Sequence, residues 1–135
     1  MPTRVLCCGT FDHLHPGHLF FLRQARELGS ELVVVVARDE NVKRIKGRYP
    51  DHTEEERRER LAELEMVDEA RLGYLGKDFL RVVAEVAPDV IALGYDQQAP
   101  PGLREAFPER RIVVLEAHYP ERYKSSLLRG NRPVR

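Results

Sequence analysis

His15 and His18 stand three residues apart in the run Gly9-Thr10-Phe11-Asp12-His13-Leu14-His15-Pro16-Gly17-His18. The run lies between the apolar stretch Val5-Leu6-Cys7-Cys8, suited to a buried strand, and a helical pattern that opens at Pro16. A strand-to-helix junction turns free backbone amides and the positive end of the helix dipole towards whatever binds there. Three-residue spacing at the opening turn can set both imidazoles on one side, and Gly17 lets a bulky anion approach the backbone. Such donors can hold a triphosphate and follow the charge that builds on its α-phosphorus. No further ligand set at zinc spacing accompanies the histidines.

Other segments offer groups for the same chemistry. Lys43, Lys46 and Arg48 form a basic, glycine-containing segment read as a loop, able to hold a pyrophosphate leaving group or an acceptor phosphate. A solvated charged surface is the competing reading. Arg57 lies in Glu55-Glu56-Arg57-Arg58, where an ordinary i,i+4 charge ladder is the alternative. Gly94-Tyr95-Asp96-Gln97 follows an apolar run, and Lys124-Ser125-Ser126 opens a last short helix whose hydroxyls can cap and donate to phosphate.

These residues need a frame, and the apolar pattern supplies one. Leu32 to Ala37 and Val90 to Gly94 read as strands covered on both faces, with Ile112 to Leu115 a further strand and Arg71 to Gly73 a short one. Between them, helices are expected over Pro16 to Leu28, Thr53 to about Glu65, Phe79 to Val86 and Leu103 to Phe107. Thr53 with Glu56 makes a capping box. Alternating strands and helices define an α/β class with a parallel sheet, whose ligands sit beyond the carboxyl ends of the strands at a topological switch point. The segments 9–18 and 94–98 are therefore expected to line one crevice.

Bulk properties narrow the function. Lys and Arg total 22, Asp and Glu also 22, so the formal net charge is zero, which argues against a general nucleic-acid binder. No apolar stretch approaches a membrane span, and no signal-peptide pattern opens the chain, so a cytoplasmic location is expected. Cys7 and Cys8, the only cysteines, read as small core residues in a reducing compartment.

The pattern Gly-Thr-Phe-Asp-x-x-His-x-Gly-His resembles the signature of the cytidylyltransferase-like nucleotidyltransferases, and the resemblance runs from Val5 to about Leu128. It implies a Rossmann-like, doubly wound, five-stranded parallel sheet in the order 3-2-1-4-5. It leaves residues 129–135 as a basic tail.

The resemblance gives His15 and His18 the nucleotide phosphates. Gly9, Thr10, Phe11, Asp12, Gly17, Gly94, Asp96 and Gln97 fall beside the nucleotide, Asp96 also near a metal. Lys46 joins the catalytic groups, and Lys43, Arg48 and Arg57 the phosphate or acceptor side. Lys124, Ser125 and Ser126 would complete the triphosphate contacts, although the Arg-Thr-x-Gly-Ile-Ser-Thr run of many members is reduced here to the hydroxyl pair beside Arg122 and Lys124. His13 lies outside the motif positions and is expected to tolerate substitution.

The implied reaction moves a nucleotide monophosphate from ATP or CTP, with Mg2+, to a small phosphorylated acceptor and releases pyrophosphate. Ala-Arg-Asp-Glu at 37–40, Lys-Gly-Arg at 46–48 and Leu-Gly-x-Asp-Gln at 93–97 resemble archaeal-type FAD synthases, although those relatives can carry cysteines towards the C-terminus and this chain has none there. Glycerol-3-phosphate cytidylyltransferases share the first signature, and a catalytically silent nucleotide sensor on the same fold is a third reading. Homodimerisation is compatible with the resemblance.

Overall fold

A computed structural model describes residues 3–76, 78–94, 97 and 99–115. Its elements are β1 (Arg4–Gly9), α1 (Pro16–Glu27), β2 (Glu31–Val36), α2 (Asp39–Lys46), α3 (Glu54–Ala62), β3 (Glu69–Leu72), α4 (Phe79–Val86), β4 (Val90–Gly94), α5 (Leu103–Ala106) and β5 (Arg111–Leu115). All strand pairs are parallel, and the five strands lie in the order β3-β2-β1-β4-β5, as the resemblance implied.

Side chains alternate across a strand, so β1 feeds two cores. Val5 and Cys7 pack with Leu22 and Ala25 of α1 and Leu61 of α3. Leu6 and Cys8 face the other layer, with Val82, Val83 and Val86 of α4 and Leu103 of α5. Helices therefore cover both faces, which is why β2 reads as an unbroken apolar run. Burial pushes the Cys7 thiol up to about 12 and, with Cys7 beside it, raises Cys8 well above the ordinary value. Both thiols stay protonated at neutral pH.

Helix boundaries follow local chemistry. Pro16 occupies the first turn of α1. Thr53 and Glu56 close the expected capping box on α3, which ends at Ala62, short of the predicted Glu65. The largest departure is α2: the segment holding Lys43 and Lys46, read from sequence as a loop, is helical. It stops at Gly47, whose φ of 84° is left-handed and suits glycine. Its N-terminus is capped from a distance, since Glu54 Oε1 accepts from the Asp39 amide at 2.8 Å while Asp39 Oδ2 accepts from the Glu54 amide at 3.2 Å. Two helix starts thus cap each other.

Candidate active site

The sheet opens where β1 and β4 part. β1 pairs with β2 as far as Gly9 opposite Val36, but with β4 at Val5–Val90 and Leu6–Ile91. Beyond those pairs the carboxyl ends border a crevice of about 870 Å³. Gly9, Thr10, Phe11, Asp12, His13, His15, Gly17, His18, Lys46, Arg48, Gly94 and Gln97 all line it. Gly94 and Gln97 thus share one cleft with the segment after β1, at the switch point of the sheet.

The two histidines cap α1. His15 has an extended backbone (φ −138°, ψ 171°), and its Nδ1 accepts from the Gly17 amide at 3.1 Å. His18 Nδ1 accepts from the His15 amide at 3.4 Å, so a pair of imidazoles takes the place of the usual hydroxyl and carboxylate of a capping box. With Nδ1 accepting, each neutral ring carries its proton on Nε2. The rings stack at 3.8 Å between centroids, 27° apart.

Burial lowers the pKa of His18 to about 4, helped by repulsion from His15 and Lys46 and opposed by a hydrogen bond to the His13 backbone. His18 is therefore neutral at pH 7. Positive charge on the crevice wall comes from Lys46 and Arg48. Lys43 does not reach the crevice; its ammonium lies 5.4 Å from the centre of the Tyr49 ring.

The loop between β1 and α1 is held from three sides. Phe11 has φ 52°, a left-handed value uncommon for a residue with a large side chain. Its ring packs over Gly9 and meets His18 edge-on at 5.4 Å. Asp12 accepts from the amides of Asp51 at 2.8 Å and His52 at 2.9 Å, and His52 Nδ1 donates to the Asp12 carbonyl at 2.7 Å. Burial works against ionisation of Asp12, but these amides and the His52 ring outweigh it and hold its pKa below the ordinary value. Asp12 thereby ties residues 51 and 52 to the signature loop.

Arg57 lies buried behind the signature loop. Its side chain is 0% exposed, and all three guanidinium nitrogens are committed to protein acceptors. Nε donates to His52 O at 3.0 Å, Nη1 to Thr10 O at 2.9 Å and Nη2 to Asp39 Oδ1 at 2.6 Å. It cannot meet a phosphate in this arrangement. Instead it fastens the signature loop to the start of α2.

Gln97 lines the crevice and is engaged on both sides. Its Oε1 accepts from the Gly94 amide at 2.8 Å, and its Nε2 donates to Cys8 O at 3.2 Å, so the side chain bridges the gap between the ends of β4 and β1. Asp96, Lys124, Ser125 and Ser126, together with Tyr95, Arg122 and the tail 129–135, lie outside the described residues. Arg57 and Gln97 act through backbone atoms far away in sequence, which neither charge pattern nor motif spacing reveals.

Fold and site together define an α/β protein with a crevice lined by paired imidazoles, a lysine and an arginine at its switch point. Residues 6–131 match the family described as cytidylyltransferase-like. The chain belongs to that family and is a nucleotidyltransferase. It is 44% identical over 131 residues to the FAD synthase of Aciduliprofundum boonei, spanning 97% of this chain and 87% of that one. It is 41% identical over 132 residues to the FAD synthase of Thermococcus sibiricus, spanning 97% and 89%.

Among solved structures, the lipopolysaccharide core biosynthesis protein from Thermoplasma volcanium matches with a TM-score of 0.76 and 38% identity, over 90% of this chain and all of that one. A pantoate-beta-alanine ligase from Francisella tularensis, at a TM-score of 0.60 and 14% identity, shares the fold alone. No helix among the described residues is long and apolar enough to cross a membrane.

Proposed function

We propose that the protein is an FAD synthase, transferring the adenylyl group of ATP to the phosphate of flavin mononucleotide with release of pyrophosphate. The observation that carries this reading is identity of 41% to 44% with FAD synthases across 97% of the chain. A crevice lined by paired imidazoles, a lysine and an arginine supports it independently.

In this reading an oxygen of the flavin phosphate attacks the α-phosphorus in line, the bond to the β-phosphate bridging oxygen breaks, and pyrophosphate leaves. A phosphate monoester is already ionised at neutral pH, so no strong base is required. His18 and His15 offer neutral N–H donors to the α-phosphate oxygens, where negative charge grows. Lys46 and Arg48 neutralise the leaving group. Arg57, Asp12 and Gln97 hold the loops that carry these groups.

Magnesium, when bound, would shield the charge of the triphosphate. The described part of the site offers a poor all-protein cage for it, because Asp12 is the one carboxylate lining the crevice and both its oxygens already accept backbone amides. Magnesium would therefore ride mainly on phosphate oxygens and water, with Asp96 as the further carboxylate. Buried Cys7 and half-buried Cys8, both protonated, suit a reducing cytoplasm.

The test is product formation by the purified protein with magnesium, offered ATP or CTP against flavin mononucleotide or glycerol 3-phosphate. FAD and pyrophosphate should appear from ATP and flavin mononucleotide. Cytidylyl transfer to glycerol 3-phosphate, with the flavin untouched, would overturn the assignment. Nucleotide binding without any transfer would make the protein a sensor.

A further inference from the structure

We propose that His13, which the signature leaves without a task, is a positioning residue: it holds the Asp51 carboxylate off Arg48 and keeps that arginine available to the leaving pyrophosphate. The inference rests on the reading of Arg48 given above, but not on which base or acceptor the crevice takes.

Asp51 is anchored by its backbone, so only its carboxylate can change partner. Its amide donates to Asp12 Oδ2 at 2.8 Å, and the next amide, of His52, donates to Asp12 Oδ1 at 2.9 Å. The carboxylate itself stands between two donors. Oδ2 accepts from His13 Nε2 at 2.8 Å, while Oδ1 lies 3.9 Å from Arg48 Nη1. At 3.9 Å the guanidinium is beyond hydrogen-bond reach. Three residues of chain separate the two, and a turn of the Asp51 side chain would close them into a charge-assisted pair. His13 holds that turn back.

The His13 ring is itself held in place. His52 meets it edge-on, with ring centroids 4.7 Å apart and 69° between planes. His52 in turn donates from Nδ1 to the Asp12 carbonyl at 2.7 Å. The other carboxylate near His13 Nε2 is Asp12, whose Oδ2 is 3.9 Å away and already accepts the Asp51 amide. The donor on His13 is therefore directed to Asp51.

The consequence falls on the charge of the crevice. Arg48 lines it, and a guanidinium closed on a carboxylate offers an incoming anion fewer donors and less net charge. The side chains of His13, Asp51 and Arg48 are all more than half exposed, so their pairing contributes little to stability. Its effect belongs to anion binding and not to unfolding.

The experiment measures the calorimetric Kd of pyrophosphate, with magnesium, for the full-length parent, Arg48→Ala, His13→Ala, Asp51→Asn and the double variant of His13→Ala with Asp51→Asn. Tm is recorded for each. Arg48→Ala should weaken pyrophosphate at least about tenfold, the scale for losing a hydrogen bond from a charged group. His13→Ala should weaken it about two- to fivefold, as an exposed ion pair competes for Arg48, with Tm little changed. Asp51→Asn should bind no more weakly than the parent, and adding His13→Ala to it should cost nothing further, because no carboxylate remains to close on Arg48. Parental affinity in His13→Ala beside a weakened Arg48→Ala would overturn the proposal alone. An equal loss from His13→Ala in the presence and absence of the Asp51 carboxylate would do the same, since it marks a merely structural role. Parental affinity in Arg48→Ala, or a parent that takes up no pyrophosphate, would remove the reading of Arg48 and the proposal with it.

Discussion

The ring of Phe11 lies where a side chain on Gly9 would have to go: a Cβ built on Gly9 meets Phe11 Cε2 at 2.7 Å and Cζ at 2.9 Å. The contact links the backbone of β1 to His18, because the same ring meets that imidazole edge-on. Glycine at the end of β1 is thus required by close approach.

Gly9→Ala should therefore push the Phe11 ring off its seat and with it the support of His18. Real Cβ atoms essentially never come that near, so the ring must move, and Phe11 is already held at a positive φ. We expect kcat/KM to fall by about tenfold or more, since small misplacements at a reacting centre are costly. Steady-state kinetics beside a circular dichroism spectrum will test this. Unchanged kinetics in a folded variant would detach Phe11 from the chemistry.

His18 should titrate well below neutrality. Its folded pKa of about 4 lies under the ordinary 6.5, so between those values the unfolded chain binds the extra proton. Stability from this group therefore rises with pH through that window and is lost as pH falls from 6.5 towards 4. The Tm of the parent should drop over that range, and more steeply than that of His18→Gln. His18→Ala should reduce kcat/KM by about 10²–10³ as a donor at the α-phosphate is lost. Parallel Tm slopes in parent and variant would show that His18 is not buried neutral.

How much of this was legible in the sequence depended on range. The apolar runs of β2 and β4 declare strands covered on both faces, and Thr53 with Glu56 declares a helix start within four residues. α2 does not declare itself, because Asp39, Glu40, Lys43, Arg44 and Lys46 leave only Val42 buried and its cap arrives from Glu54. Its neighbour α3 holds three arginines, and nothing local marks Arg57 as the one turned inward. Thr10, 47 residues away, and Asp39, 18 away, decide that. The grouping of His52 with Asp12 and His13 is hidden for the same reason, since it forms across some 40 residues of chain.

Arg57 should prove structural in its energetics. Removing the side chain leaves Thr10 O and His52 O without a donor and Asp39 without its cation, in a place where Arg57 itself is fully buried. Arg57→Ala is expected to cost about 3–5 kcal/mol, the scale for breaking a buried ion pair from one side. Arg57→Lys should rescue little, because one ammonium cannot span the three directions of the guanidinium fork. Urea unfolding reads both. A variant of near-parental stability with impaired triphosphate binding would return Arg57 to the phosphate side.

Gln97 offers the sharpest division between reading the base and shaping the crevice. Its oxygen and nitrogen are matched to an amide on β4 and a carbonyl on β1, so the side chain sets how far the two strand ends stand apart. Gln97→Ala removes both bonds. Gln97→Glu keeps an acceptor for the Gly94 amide but sets a carboxylate oxygen against the Cys8 carbonyl, and should fare no better. If the bridge governs crevice width, KM for the triphosphate rises about tenfold, roughly 1.4 kcal/mol and in line with two modest hydrogen bonds, while kcat moves less. The ratio of kcat/KM for ATP to that for CTP then stays as in the parent, because a widened crevice loosens purine and pyrimidine alike. A residue that read the base would behave differently, since a site built on hydrogen bonds discriminates by large factors and loses that discrimination when the bond is removed. Measuring both triphosphates against the two variants separates the cases: a constant ratio with raised KM supports the bridge, and a collapsed ratio assigns Gln97 to the base.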